Sequence, residues 1–358
     1  MIKCLVLEER SEFGGVNKVI RTLLSGNISE NIVLKTCFLY KGWMPDRMIE
    51  EKSDFINKKT ASSSRSFRYF RFFTVDVFKT WWYINKEKPD VIISFGSLSY
   101  LHIIFIRLLT NYKIIVSERA DPNTIRSFGL KLIRYLYRYA DKVVFQTNAA
   151  KSYFSNEIKK KSVVIFNPVI IPSEKWDKTS KGRIVTIGRL EIVQKRQDIL
   201  IEAFSELIQR HPYYILEIWG DGPDKQYLQE LSKELGLDKC ILFGGYTSNV
   251  KEKLLNCDMF ILSSDYEGQP NALLEAMALG VPSISTSYSP GGVEDIIGPD
   301  EGLIVPRGDR MLLAESIEKF IDDIQYAELC GENARKKMQL FSMDLVSKKW
   351  GEAIESVC

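Results

Sequence analysis

Short apolar runs alternate with helix-length segments along nearly the whole chain, and this alternation restricts the fold more than any other feature. A first series contains IKCLVLEE, NIVLKTCFLY, DVIISF, KIIVSE, KVVFQT and SVVIFNPV, and a second contains GRIVTIGRL, YILEIWGDGP, CILFGGY, MFILSS and VPSISTS. One long helix is expected between NIVLKTCFLY and Pro89. Strands this apolar, separated by helices, are typical of parallel sheets that are covered on both faces. The sequence therefore predicts an α/β fold of two Rossmann-like, doubly wound domains.

The length of 358 residues fits two domains that each bury a core. We place the boundary in the Pro-, Lys- and Ser-containing stretch between Pro168 and Lys181, which gives domains at 1–170 and 171–340. The amphipathic segment 341–358 is expected to form a helix that crosses back onto the first domain. A cleft between the domains is where a site is expected first.

Charge is distributed unequally along the chain. Residues 1–170 carry 28 Lys and Arg against 15 Asp and Glu, a net charge of +13, whereas the remainder has a net charge of −10. A basic first half favours an anionic membrane surface or a phosphorylated acceptor as partner. Nucleic acid ranks last, because the chain has no recognisable nucleic-acid-binding motif.

The cysteines and the apolar runs bear on location. Six cysteines are scattered without metal-ligand spacing, which favours free thiols in a reducing, cytoplasmic compartment. No run reaches the ~18 apolar residues that a membrane span requires. Membrane contact is therefore expected to be peripheral, on the cytoplasmic face of the inner membrane.

Two glutamates in the run EGQPNALLEAMALGVP, Glu267 and Glu275, are the strongest candidates for chemistry. Gly268 and Pro270 predict a tight turn between the strand MFILSS and a helix. The first N–H groups of that helix, around 271–273, can bind a phosphate oxygen, and carboxylates accept hydrogen bonds from pairs of sugar hydroxyls. Taken alone, the pair is better explained without a ligand: Glu267 would stabilise the end of the helix, and Glu275 would lie on its solvated face.

Two cations in IGRLEIVQKRQD, Arg189 and Lys195, change that balance. They follow a predicted strand, at the edge where parallel sheets bind ligands, and together they suit a diphosphate. The alternative is that both cations are solvent-exposed surface residues that bind no ligand. Gly14 and Gly15, after the first strand, let backbone N–H groups approach a phosphate or sugar. No D-x-D triplet occurs and the chain has two histidines, so no metal is expected.

The motifs GGV, IGRL with QKRQD, GDGP, FGGY and EGQPNALLEAMALGVP resemble those of the retaining family 4 glycosyltransferases, which have a GT-B fold of two facing Rossmann-like domains. The resemblance implies a nucleotide-sugar donor, no metal, and retention of the anomeric configuration. It implies that Glu267 contacts the transferred sugar and Glu275 the ribose. Arg189 and Lys195 would then bind the diphosphate. The further implied donor contacts are Gly14, Gly15, Tyr246, Gln269, Pro270, Asn271, Ala272 and Leu273.

One loop departs from the family pattern. Many relatives carry a His in the first domain where this chain reads IIVSERADP. Glu118, Arg119 or Asp121 takes its role, or no residue does. The motif SER-x-D-P is similar to that of the family members that extend bacterial capsule, O-antigen or lipid-linked oligosaccharides. This similarity implies a UDP-hexose or UDP-N-acetylhexosamine donor.

The segment FGLKLIRYLYRYADK is basic and amphipathic, with cations at Arg126, Lys131, Arg134 and Arg138. Together with SFRYFRFF, it is suited to lie on an anionic leaflet near a polyprenyl-diphosphate acceptor. An ordinary sheet-covering helix with solvated arginines explains the pattern about equally well.

Three functions remain compatible with the sequence. An active transferase is favoured, and the alternatives are a GT-B nucleotide-sugar epimerase and a catalytically silent subunit of a glycan assembly complex. The intact pair of Glu267 and Glu275 argues against a silent subunit, and the basic first half exceeds what an epimerase acting on a soluble nucleotide needs.

Overall fold

The protein is described from a computed structural model, which covers residues 1–10, 15–25, 28–40, 51–57, 72–107, 109–123, 128–177 and 182–358. The chain forms two compact units. The first comprises Met1–Pro168 and Met343–Cys358, and the second comprises Val169–Ser342.

The first unit is built on one parallel sheet. Its strands are β1 Ile2–Arg10, β2 Ile32–Tyr40, β3 Ser53–Asn57, β4 Val91–Ser94, β5 Lys113–Glu118, β6 Lys142–Phe145 and β7 Ser162–Val164. They lie in the order β3-β2-β1-β4-β5-β6-β7, and every pairing is parallel. Its helices are α1 Gly15–Ser25, α2 Val77–Glu87, α3 Ser97–Arg107, α4 Phe128–Leu136, α5 Asn148–Ser152, α6 Asn156–Lys160 and, at the end of the chain, α14 Met343–Glu355.

Helices α2, α3 and α4 cover one face of this sheet. Successive strand residues point to opposite sides, so Leu5 and Leu7 of β1 face this layer. There they pack with Tyr83 of α2, Ile103 of α3 and Ile133 of α4.

Helices α1 and α14 cover the opposite face. Val6 of β1 packs there with Val19 of α1 and Trp350 of α14. The ring of Trp350 lies 5.4 Å from that of Phe95, and Ser29 Oγ donates to Glu355 Oε1 at 2.8 Å. The last helix of the chain is therefore part of the first unit's core.

The second unit is also built on one parallel sheet. Its strands are β8 Arg183–Ile187, β9 Ile215–Trp219, β10 Ile241–Gly245, β11 Met259–Leu262, β12 Ser283–Thr286 and β13 Leu303–Val305. They lie in the order β10-β9-β8-β11-β12-β13 with parallel pairings. Its helices are α7 Ile192–Lys195, α8 Gln197–Ile208, α9 Lys225–Glu234, α10 Val250–Leu255, α11 Asn271–Leu279, α12 Arg310–Asp322 and α13 Ile324–Met338.

Two parallel α/β sheets confirm the predicted fold class. The expected single long helix before Pro89 is wrong, because β3 and α2 both lie in that stretch. The β3 sequence SDFIN has mostly half-buried side chains and pairs with β2 at the sheet edge. An edge strand lacks the continuous apolar run by which the central strands were predicted. Among the described residues, no helix has both the length and the apolar character to cross a membrane.

Candidate active site

The carboxyl ends of β8 and β11, neighbouring strands of the second unit, position the candidate site. Strands β9 and β10 continue from β8 on one side, and β12 and β13 continue from β11 on the other. The loops that leave such a switch point diverge and open a crevice at the carboxyl edge. Lys195 is the last residue of α7, the short helix that follows β8, and Glu267 lies in the loop after β11.

Lys195 and Glu267 form the polar centre of this crevice. Lys195 Nζ donates a hydrogen bond to Glu267 Oε1 at 2.5 Å, and Ser264 Oγ donates to the same oxygen at 2.7 Å. The two charged side chains are 19% and 8% exposed, so their attraction is weakly screened by water. An ammonium group has three N–H donors, so Lys195 can hold Glu267 and still contact an anion.

Hydrogen bonds also join the segment around Lys195 to the loop that contains Glu267. Ser263 Oγ donates to the carbonyl oxygen of Lys195, and the Asp265 N–H donates to that of Gln194, both at 2.8 Å. Arg196, with a left-handed backbone at φ 49°, donates to Asp265 Oδ2 at 3.1 Å. Lys195 is therefore presented from a fixed turn, which reduces the entropy lost when it binds a ligand.

Arg189 lies at the same strand end and is 68% exposed. Gln197 Nε2 donates to its carbonyl oxygen at 2.8 Å, which fixes its backbone, while its Nε lies 3.4 Å from Glu191 Oε2. Exposed ion pairs are weak, so the guanidinium can exchange this contact for a phosphate at little cost. The structure thus brings both predicted cations to one end of β8.

The turn before α11 and the helix itself contain most of the other predicted donor contacts. Pro270 is the residue before the first helical residue, and Leu273 is fully buried, so Leu273 can offer a ligand only its backbone N–H. Glu275 is half-buried in the second turn of the helix. The remaining predicted contacts in this stretch are Gln269, which is buried, and the half-buried Asn271 and Ala272.

Tyr246 follows β10 at the same carboxyl edge and is 77% exposed. The Gly220 N–H donates to the carbonyl oxygen of Gly245 at 2.8 Å, which joins the ends of β9 and β10. The predicted base contact therefore lies beyond β9, two strands away from β8.

Three residues of this site were missed from the sequence. Gln194 Nε2 lies 3.4 Å from Glu267 Oε2, and Ser264 contacts Oε1. Tyr288, after β12, has a buried hydroxyl without a hydrogen-bond partner among the described residues. Burial and the nearby charge of Glu267 raise the pKa of Tyr288. Gln194 could have been found from its place beside Lys195, whereas Tyr288 has no local signal.

The first unit contains the remaining predicted residues. Gly14 lies outside the described residues, and Gly15 is the first residue of α1. Glu118, at the end of β5, is buried, and Arg134 Nε and the Tyr137 hydroxyl donate to its Oε2 at 2.8 and 3.2 Å. Glu118 is therefore held in a buried ion pair inside the unit.

The other two residues of that loop also have internal contacts. Arg119 Nη1 donates to Asn167 Oδ1 at 2.9 Å, and its guanidinium lies 5.1 Å from the ring centroid of Phe95. Asp121 is buried, and its Oδ1 accepts from the Asn123 N–H at 2.7 Å. These contacts stabilise the loop itself.

The prediction that Arg134 contacts a membrane is wrong for that side chain, which is 8% exposed and paired with Glu118. An uncompensated cation at this position would be costly, and the buried carboxylate compensates it. Arg138 stacks on Tyr135, with 3.8 Å from the guanidinium to the ring centroid. Lys131 is exposed. The predicted contacts Arg126 and 66–71 lie outside the described residues.

Glu8, at the carboxyl end of β1, is a buried acid that the sequence did not single out. Its Oε1 accepts from the Glu9 N–H at 2.9 Å, whereas its Oε2 accepts no hydrogen bond from any described residue. Burial raises the pKa of Glu8 to about 7 from an ordinary value of 4.5. The folded first unit therefore favours the protonated form.

Replacing Glu8 with glutamine is expected to stabilise the protein at pH 8 by about 2–3 kcal/mol and to leave it nearly unchanged at pH 4. Because the pKa is raised on folding, the wild type loses stability as pH rises from 4.5 to 7, and the neutral amide does not. Denaturant unfolding at the two pH values measures this difference. The exposed Glu30→Gln serves as control, and an equal gain at both pH values would contradict the assignment.

Among the residues that the structure describes, no three His, Cys, Asp or Glu side chains are grouped closely enough to hold a metal ion.

Residues 171–337, which fall within the second unit, match the family model of glycosyl transferases group 1. The second unit is therefore similar in sequence to this group of glycosyltransferases. The amylovoran biosynthesis glycosyltransferase AmsD of Erwinia amylovora is 24% identical over 99% of this chain and 100% of its own length. An alpha-1,4-N-acetyl-D-galactosaminyltransferase of Campylobacter jejuni, whose name gives a glycan on PP-undecaprenol, is 26% identical over 76% of this chain and 77% of its own.

The shared length differs among relatives. This chain spans only 18% of the exopolysaccharide phosphotransferase of Streptomyces coelicolor, with which it is 33% identical over 172 residues, or 48% of its own length. The crystal structure of Anabaena HepE with UDP superimposes with a TM-score of 0.84 over 99% of this chain and 100% of that one, at 18% identity. At this identity the likeness concerns the fold alone, and it confirms the predicted GT-B architecture.

Proposed function

We propose that this protein is a glycosyltransferase that moves a hexose or N-acetylhexosamine from a UDP-sugar to a hydroxyl group of a lipid-linked glycan in bacterial surface polysaccharide synthesis. The anomeric configuration is retained and no metal ion takes part. The observation that carries the proposal is the shielded pair of Lys195 and Glu267 at the switch point of the second sheet, with the exposed Arg189 at the same strand end.

The two cations suit the leaving group. Arg189 and Lys195 can both contact diphosphate oxygens, whose negative charge grows as the bond to the sugar breaks. The first N–H groups of α11 add the positive end of a helix dipole. Together they balance the charge of a departing UDP without a divalent ion.

The environment of Glu267 suits hydrogen bonding to the sugar. Lys195 and Ser264 both donate hydrogen bonds to its Oε1, and these bonds fix the orientation of the carboxylate. A carboxylate fixed in this way orients sugar hydroxyls. Glu275, in the second turn of α11, takes the ribose hydroxyls in the proposal.

The proposed reaction needs no nucleophile from the protein. The bond between the anomeric carbon and the diphosphate oxygen breaks, and the acceptor oxygen bonds to the same face of that carbon. The acceptor proton passes to the departing phosphate oxygen. The products are UDP and a glycan that is longer by one sugar.

Two observations support a lipid-linked acceptor. The Campylobacter jejuni relative is named for a glycan on PP-undecaprenol, and the Erwinia amylovora relative is named for amylovoran biosynthesis. The first 170 residues carry a net charge of +13, which is complementary to a diphosphate-linked lipid.

A donor panel tests the proposal. The protein is incubated with UDP-, GDP- and ADP-sugars, with and without an undecaprenyl-diphosphate glycan, and the nucleotide and sugar products are resolved. We expect UDP release that rises when the acceptor is added. An isomerised nucleotide-sugar would assign the chain as an epimerase, and a protein that neither binds nor consumes any donor would be a silent subunit. Either result overturns the proposal.

Removal of divalent ions with EDTA is expected to change the rate of UDP release by less than about twofold, because side-chain cations balance the diphosphate charge. The rate is measured with EDTA, and again after adding an excess of Mg²⁺ or Mn²⁺. Strong inhibition that either ion reverses would contradict the metal-free part of the proposal.

A further inference from the structure

Three adjacent helices of the first unit, α2, α3 and α4, turn large apolar side chains outward. They lie side by side over one face of the sheet and bury their inner residues in the same core layer. Their opposite sides therefore share one surface, which we name the three-helix face. Exposed fractions there are 62% for Phe78, 59% for Trp82, 50% for Phe105, 49% for Leu132 and 53% for Tyr135.

A groove runs between α2 and α3 in this face. Its volume is about 520 Å³, and its walls include Phe78, Trp81, Phe105 and Leu109. Leu109 is 73% exposed. Single exposed apolar residues are common on proteins, but a contiguous patch of this kind marks an interaction site.

The same helices carry positive charge. Lys79, Lys86 and Lys131 are exposed on them, and Lys86 Nζ lies 5.9 Å from the ring centroid of Trp82. Among the described residues of the three helices the one acid is Glu87, whose Oε2 is paired with Lys35 at 2.9 Å. The face therefore combines apolar side chains with positive charge that no acid on these helices offsets.

We propose that the three-helix face docks on an anionic bilayer surface. Aromatic side chains such as Trp82 and Tyr135 suit the headgroup level, and Phe78 and Phe105 suit the boundary of the acyl chains. The lysines attract anionic headgroups. A neutral apolar partner would leave these lysines unmatched, and an acidic soluble partner would leave the aromatic groove empty.

This inference deepens the proposed function, and it rests on that function for the reason to bind, since a lipid-linked acceptor is presented at a bilayer. The docking itself requires no catalysis. It also differs from the sequence-based expectation, because Arg134 is buried and apolar side chains from α2 and α3 form most of the contact.

Vesicle co-sedimentation tests the proposal with the full chain. Vesicles of phosphatidylcholine alone are compared with vesicles that also contain phosphatidylglycerol. We expect wild-type protein to prefer the anionic vesicles. The triple variant Phe78→Ser/Trp82→Ser/Phe105→Ser should bind them at least about tenfold more weakly. The matched control replaces exposed apolar residues of the second unit, Tyr227→Ser/Met311→Ser/Leu329→Ser, and should bind as the wild type does.

A second variant, Lys79→Gln/Lys86→Gln/Lys131→Gln, tests the charge independently and should lose the preference for anionic vesicles. The proposal is overturned if the wild-type protein binds both vesicle types equally. It is also overturned if the variant Phe78→Ser/Trp82→Ser/Phe105→Ser binds anionic vesicles as the wild type does. If the wild-type protein is a dimer in the absence of vesicles and the variant Phe78→Ser/Trp82→Ser/Phe105→Ser is a monomer, the three-helix face binds a second copy of the chain. That result would also overturn the proposal. Donor hydrolysis in solution, measured on the same proteins, separates loss of docking from failure of the proposed chemistry.

Discussion

Replacing Lys195 with methionine is expected to lower kcat by about 10²–10³-fold. The ammonium group is held at the strand end by Glu267 and by a turn that hydrogen bonds fix to the neighbouring loop. A preorganised cation of this kind stabilises the charge that develops on the departing diphosphate. Methionine keeps an unbranched apolar side chain one atom shorter than that of lysine, and it removes the charge and the N–H groups.

The same substitution is expected to cost about 1–3 kcal/mol of stability, because it leaves the carboxylate of Glu267 shielded and without its cation. The double variant Lys195→Met/Glu267→Gln removes the unpaired charge and should recover most of the melting temperature. It should not recover kcat. This difference separates a loss of chemistry from a loss of folding.

Two further variants act as controls for the Lys195 result. The exposed Lys233→Met, on α9, should leave kcat unchanged. Glu275→Ala should mainly raise the donor KM, because the ribose is bound equally in the ground and transition states. Steady-state rates of UDP release over a series of donor concentrations measure kcat and KM for all of these variants. A Lys195→Met enzyme with kcat within threefold of the wild type would contradict the assigned role.

The sheets were predictable because their central strands are almost wholly apolar. The runs DVIISF and MFILSS, for example, become β4 and β11, both fully buried. A short, continuous apolar run is enough to predict such a strand, since a parallel strand that is covered on both faces has no polar side. The edge strand β3 has half-buried side chains, and the sequence therefore gave no comparable signal for it.

The candidate site was predictable for a different reason. Lys195 and Glu267 are far apart in sequence, but each follows a predicted parallel strand, and the carboxyl ends of parallel strands share one edge. The contact between the two side chains could not be predicted, because it depends on β8 and β11 being neighbours in the sheet. The strand order is a property of the whole unit.

Long-range pairing also explains the error on α4. Arg134 was predicted to be exposed, against a membrane or in solvent, because its neighbours in the sequence include Lys131 and Arg138. Its burial depends on Glu118, which lies on β5, 16 residues earlier, and on the Tyr137 hydroxyl that shares the same carboxylate oxygen. Helical periodicity places Arg134 next to core positions, but it does not show that a buried carboxylate from another element pairs with it.

Replacing Gly220 with alanine is expected to destabilise the second unit by about 3–5 kcal/mol and to raise the donor KM. Gly220 has φ 142°, and a Cβ built on it would lie 1.8 Å from the carbonyl oxygen of Gly188, a backbone atom that cannot move aside alone. Because Gly188 directly precedes Arg189, relief of this clash by movement of Gly188 is expected to displace the guanidinium from its proposed contact with the diphosphate.

The control for Gly220→Ala is Gly236→Ala. Gly236 also has a positive φ, 70°, but nothing lies within 4 Å of its added Cβ, so its cost is limited to backbone strain of about 1–2 kcal/mol. Thermal unfolding and donor KM are measured for both variants. If the close approach of the ends of β8 and β9 positions Arg189, Gly220→Ala alone raises KM, and its melting temperature falls well below that of Gly236→Ala. Equal melting temperatures and unchanged KM values would show that the second unit tolerates a shift at this strand end, and that Arg189 binds the donor from a flexible loop.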